Sequence, residues 1–108
     1  MTAAKATHEL IAAQAPTAIV SAATRCSLGV VPALHAAGRT DIALICFGDF
    51  AMADTLQPAV TVMDHSGKAV GLAATARLAA RLAEPDLPTA TTYVPVNLVQ
   101  RGSGELPA

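Results

Sequence analysis

The chain has 108 residues, a formal net charge of −1 and an apolar share of 53%. That length holds one small domain, and the near-neutral charge leaves this segment without the basic footprint of a nucleic-acid-binding surface, although a basic part could lie elsewhere in a larger protein. With one Tyr, two Phe and no Trp, the core has to be built from Ala, Val, Leu and Ile, which bury little area per residue, so modest stability or help from a neighbouring domain or subunit is expected.

Residues 2–14 predict a helix, with Ala6, Leu10 and Ala13 on one face and Pro16 ending it. Residues 17–22 predict a short strand, and Ala23, Thr24 and Arg25 the turn after it. The next helix is expected over residues 27–37, capped by Ser27 or Thr24 and stopped by Gly38. Pro32 lies inside that span. In a helix interior it costs about 3 kcal/mol, so a late start or a kink is expected. Residues 42–47 form an unbroken apolar run, which fits a strand covered on both faces, with Gly48, Asp49 and Phe50 as its exit.

Residues 51–58 predict a connection with one helical turn around Met52 to Leu56, closed by Pro58. Residues 59–63 predict a short strand and Asp64, His65, Ser66 and Gly67 a polar turn, in which Asp64 or Ser66 can cap the next helix. Residues 68–83 read as the clearest helix, with apolar and basic faces. After a proline-containing loop, residues 91–99 predict the last strand, an edge strand or one broken at Pro95. Residues 101–104 read as a polar tail.

Strands alternating with helices define an α/β fold: a parallel or mixed sheet with helices on both faces, in three layers. No repeat or linker divides the chain, so residues 1–108 read as a single domain. Cys26 and Cys46 are isolated, with neither a zinc-ligand spacing nor a disulfide framework; no metal or cofactor is implied. Neither a secretory leader nor a membrane span is expected, which gives a cytoplasmic protein as the default.

In open α/β sheets ligands bind past the carboxyl ends of strands. Thr24, Arg25, Gly48, Asp49 and His65 all lie just past predicted strands and are the candidate ligand-binding residues. Arg25 has the chemistry to pair an anionic ligand bidentately. Asp49 also has a structural alternative, as a turn carboxylate held by backbone N–H groups. Asp49, Asp64 and His65 are the residues that acid–base catalysis would use, but neither a nucleophile nor a metal set accompanies them.

The same stretches resemble the sensor domain of the LacI/GalR family of bacterial transcription regulators. Thr17-Ala18, then Leu28-Gly29 opening a helix, then Asp41-Ile42 through Gly48-Asp49 keep the family's order. Leu56-x-Pro58-x-Val60-Thr61, Gly71-x-x-Ala74 and Pro95-x-x-Leu98-Val99-x-Arg101-Gly102-Ser103 continue it, so that nearly the whole chain is covered. The resemblance implies a periplasmic-binding-protein-like fold, one lobe only, from the C-terminal part of the sensor domain. It implies a small-molecule effector, a sugar or other metabolite, bound between lobes, and DNA contacts made only through a helix-turn-helix segment absent from these residues. It also implies a homodimer, with Leu28, Val31, Met52, Thr55 and Leu56 at a two-fold interface; the alternative is that these residues simply cover the sheet.

The departures are specific. Ala23 and Thr24 stand where the family has Asn-Asp, and Gly48 where it has the first Asp of its strand-exit motif. A site built on charge-assisted bonds to a polyol loses several kcal/mol without those acceptors. A solute-binding protein of the same fold is the alternative binding role, and a small α/β enzyme the remaining one.

Overall fold

A computed structural model describes residues 1–108. Its elements are α1 (Ala3–Gln14), β1 (Ala18–Ser21), α2 (Thr24–Ala36), β2 (Ala43–Phe47), β3 (Thr61–His65), α3 (Gly67–Ala83), β4 (Val96–Val99) and a 3-10 turn (Ser103–Glu105). The four strands form one sheet in the order β1-β2-β3-β4, and β1–β2 and β2–β3 pair in parallel. The chain divides into two compact units, residues 1–64 with 98–108, and residues 65–97.

The first unit holds the core. Val30, Val31 and Leu34 of α2 meet Ile42, Leu44, Cys46, Val60 and Val62 from the sheet side, with Ala53 beside them. Side chains alternate across a strand, so Leu44 and Cys46 share the α2 face, and Ile45 and Phe47 take the other. The two faces of residues 42–47 are covered to different extents. Leu44 and Cys46 are buried, Ala43 and Ile45 are half-buried, and Phe47 is exposed.

Three helix details arise from local chemistry. The α1 N-cap is Thr2, whose hydroxyl accepts from the Lys5 N–H at 3.2 Å. Ala6, Leu10 and Ala13 share one face as expected, while Ala3, Thr7 and Ile11 turn toward the core. Thr7 can be buried because its hydroxyl donates to the Ala3 carbonyl at 2.8 Å. The α1–α2 approach is close enough that a Cβ on Gly29 would lie 3.0 Å from Ala3 Cβ and 3.1 Å from the Ala4 nitrogen.

Helix α2 starts at Thr24, three residues before the expected start, and its N-cap is Ala23 with no side-chain cap. Pro32 therefore sits deep in the helix rather than near its first turn. Ser27 is no cap: it is buried, donates to the Ala23 carbonyl and pairs with Ser21 Oγ at 2.9 Å. Gly38 ends the helix as expected, at φ +65, with its N–H bonded to the His35 carbonyl and that of Arg39 to the Leu34 carbonyl.

β3 begins two residues later than expected and includes Asp64 and His65, which the sequence placed in a turn. β4 begins immediately after Pro95, so residues 91–94 are not strand. Both cysteines are free, Cys26 exposed and Cys46 buried. Burial pushes the Cys46 thiol pKa up, partly offset by its hydrogen bond with Ser27.

In the second unit, Ser66 caps α3 by accepting from the Ala69 N–H at 3.0 Å. Arg77 donates to the Pro88 carbonyl. Val70, Ala73 and Ala74 line a shallow depression with Ala90, Thr92 and Val94. No residue of α3 is buried.

Candidate functional site

β1 and β2 are parallel neighbours, so the residues just past them share one edge of the sheet. Thr24 and Arg25 open α2 after β1; Gly48 and Asp49 come directly after β2. The fold thus brings four of the five expected ligand residues to one rim. The buried Ser21–Ser27 hydroxyl pair fixes the first half of it, joining the end of β1 to the first turn of α2. Arg25 is exposed there, and no acidic residue lies in that first turn.

The second half is fixed by backbone geometry and one ion pair. Gly48 has φ +88, a conformation that favours glycine, and its N–H donates to the Met63 carbonyl at 2.8 Å. Asp49 Oδ1 accepts from the Phe50 N–H at 2.9 Å. Arg101 then grips both carboxylate oxygens, Nη1 to Oδ1 and Nη2 to Oδ2, each at 2.8 Å. The Arg101 hydrogen bonds hold the Asp49 pKa below the usual carboxylate value, against the opposing effect of burial. The guanidinium is raised in turn, first by Asp49. Arg101 also donates to the Val60 carbonyl at 3.2 Å.

The expected polar tail is instead a strap built into the sheet. Ser103 is buried; its hydroxyl accepts from the Thr61 N–H at 2.9 Å and donates to the Leu44 carbonyl at 2.6 Å. Thr61 Oγ1 accepts from the N–H groups of Arg101 and Gly104, each at 3.1 Å, and donates to Glu105 Oε2 at 2.9 Å. Gly104 leaves no room for a side chain: a Cβ there would lie 2.8 Å from Ile45 Cγ1 and 3.0 Å from Thr61 Cβ. Reading these residues singly missed the strap, because they are polar and lie beyond the last strand. The signal available was the matched closing motif containing Arg101 and Ser103.

His65 is the last residue of β3 and belongs to the second unit. The expected interface residues separate. Leu28 and Met52 are exposed, at 58% and 68%, and Thr55 is exposed with its hydroxyl donating to the Met52 carbonyl at 2.8 Å. Val31 lies in the core and Leu56 packs partly against it, so these two cover the sheet rather than form an outer patch. The resemblance grouped Val31 with Leu28, but Val31 is turned into the core while Leu28 stays exposed. No group of three or more His, Cys, Asp or Glu is placed to hold a metal ion. No helix is long and apolar enough to cross a membrane.

The profile of the periplasmic binding protein-like domain matches residues 1–104, and the chain belongs to that family. Several solved structures that share its fold are LacI family transcriptional regulators. The "Probable opine utilization operon repressor" of Rhizobium rhizogenes is 35% identical over 77 residues, covering 70% of this chain and 39% of that protein. A LacI family transcriptional regulator from Enterococcus faecium, solved with bound ribose, superposes with a TM-score of 0.75 at 20% identity, over 98% of this chain and 40% of that one. A dimeric Lac repressor with a C-terminal deletion gives 0.75 at 22%, over 97% and 40%. The chain thus spans about two fifths of the length of these relatives.

Proposed function

We propose that this chain is the effector-sensing and dimerising part of a cytoplasmic LacI-type transcription regulator rather than an enzyme. Thr24, Arg25, Gly48 and the Asp49–Arg101 pair form its share of the effector site. A ligand held between lobes would shift the population between open and closed forms and so alter the spacing of paired DNA-binding heads elsewhere in the protein. The observation that carries this reading is the common rim of Thr24, Arg25, Gly48 and Asp49, on a chain whose relatives are regulators. The dimer would use Leu28, Met52 and Thr55, as the dimeric state of the Lac repressor suggests.

The rim also favours one class of effector. With Ala23 and Gly48 lacking polar side chains, the side-chain donors just past β1 are the half-buried Thr24 and the exposed Arg25. A carboxylate-bearing metabolite fits that set better than a neutral polyol, and the opine-utilisation repressor among its relatives points the same way.

The test is calorimetric titration of the full-length protein with ribose, with lactose and with an opine, an N-carboxyalkyl amino acid. Binding of the opine is expected, weakened roughly ten- to hundredfold by Arg25→Ala, since a hydrogen bond to a charged group contributes about 1.5–3 kcal/mol. Binding of ribose or lactose that is indifferent to Arg25→Ala would overturn the assignment of effector class.

A further inference from the structure

Asp49 is the acid just past β2, and the obvious role for it is to touch the effector. The geometry assigns it otherwise. Both its oxygens accept from Arg101, and Oδ1 also from the Phe50 N–H, so three of its roughly four acceptor positions are already engaged within the chain. Arg101 is itself held in place: its side chain is 18% exposed, its backbone N–H is bonded to Thr61 Oγ1 and its Nη1 also reaches the Val60 carbonyl. One end of this clamp is therefore the rigid strap on β3, and the other is the exit of β2. The turn it grips includes Gly48 at φ +88, and Phe50 packs against the core just after it. Met52 comes next at φ +69, where a non-glycine residue persists only if its surroundings over-determine it.

We propose that Arg101 is a positioning residue for the effector rim: by occupying both oxygens of Asp49 it fixes the Gly48–Phe50 turn, and Asp49 serves the site through Arg101 rather than by contacting the effector. The inference rests on the reading of this edge as an effector site. A planar fork matching a carboxylate at two points sets orientation as well as distance, which a lysine ammonium does not. The pair also explains how the rim tolerates glycine at position 48. The turn is held from the next residue along, so residue 48 need contribute only its backbone.

The experiment needs no effector. Amide hydrogen exchange and proton NMR of the full-length protein would be recorded for the wild type, Arg101→Gln, Arg101→Lys and Asp49→Asn. Arg101→Gln is expected to raise exchange of amides 49–52 about tenfold or more while the β1 amides stay unchanged, a change equivalent to losing one charge-assisted contact. Arg101→Lys should restore only part of the protection. Adding Asp49→Asn to Arg101→Gln should make exchange no faster, because one interaction is already gone. The Phe50 amide signal should titrate with Asp49 below the ordinary carboxylate range in the wild type, and move back up in Arg101→Gln.

Exchange that rises equally in β1 would reduce Arg101 to a general stabiliser and overturn the proposal. So would a Phe50 titration that ignores Arg101→Gln, or full rescue by lysine. A rim that loosens as expected in a protein indifferent to every effector tested would leave the clamp standing and sink the effector reading alone.

Discussion

Helix α3 and the strap at residues 101–105 make opposite use of their sequences. Helix α3 has 17 residues, a capped start and a long amphipathic pattern, yet none of its residues is buried. The strap is short and polar, yet it buries Ser103, saturates Thr61 with hydrogen bonds and presses Gly104 against Ile45. Regular secondary structure and structural leverage are therefore separate properties. A helix closes its own backbone hydrogen bonds wherever it lies, whereas irregular backbone can be buried only if each polar group finds a partner.

The largest effect is expected at Gly104. Replacing it with valine puts atoms where even a Cβ comes within 3.0 Å of Ile45 and Thr61. Overpacking of this kind costs about 1–3 kcal/mol, and more where the strap cannot shift. Urea denaturation is expected to show that loss. A Gly104→Val protein as stable as the wild type would mean that the strap is loosely seated and that its contrast with α3 is false.

Ser103→Ala comes next. It strips a partner from the Thr61 N–H and from the Leu44 carbonyl, both satisfied by one hydroxyl. Leaving buried groups unpaired costs about 1–3 kcal/mol, so the urea midpoint should fall clearly with the slope unchanged. Ser103→Cys would sharpen the reading, since a thiol of similar shape is too weak a donor to restore the loss.

The sequence was most legible where local chemistry decides. The Ser66 cap, the Gly38 stop and the break at Pro95 were each readable from one or two residues, because a cap or a proline acts within a turn of itself. The order of strands and helices was readable too, and with it the shared edge that carries Thr24, Arg25, Gly48 and Asp49. Single residues could not reveal long-range pairing. Ser103 with Leu44 spans 59 positions, and Arg101 with Asp49 spans 52. Nothing in the periodicity of either segment marks those partners. Val31 was placed beside Leu28 by the resemblance, and a matched motif does not say which side of a helix meets the sheet. The early start of α2 was missed because Ala23, with no capping side chain, occupies the N-cap.

Acid should act on the strap before it acts on α3. Asp49 has a pKa lowered in the folded protein, so its pair with Arg101 contributes full stability above the ordinary carboxylate pKa of about 4. That contribution is lost as pH falls through the lowered folded value, and protonation then favours unfolding. The Arg39–Asp41 pair has the same sign but is fully at the surface, where solvent screens it. Denaturation measured from neutral pH downward should therefore show Asp49→Asn already weakened at about pH 7 and converging on the wild type at strongly acid pH. Parallel curves for the two proteins would mean that the ion pair contributes nothing to folding.

The smallest expected effect completes the contrast on the α3 side. Leu78 and Leu82 are exposed, at 61% and 74%. Leu78→Gln exchanges one good helix former for another and removes little apolar surface from any packed environment. Substitutions at such surface positions stay within about 0.5 kcal/mol, so the urea midpoint should hardly move. A loss of about 2 kcal/mol or more, the cost of one buried leucine, would show that α3 is covered in solution. Dilution would then locate the cover. If the loss grows as the protein is diluted, a second copy supplies it, because stability shared across subunits depends on concentration. A loss independent of concentration would place the cover within the same chain.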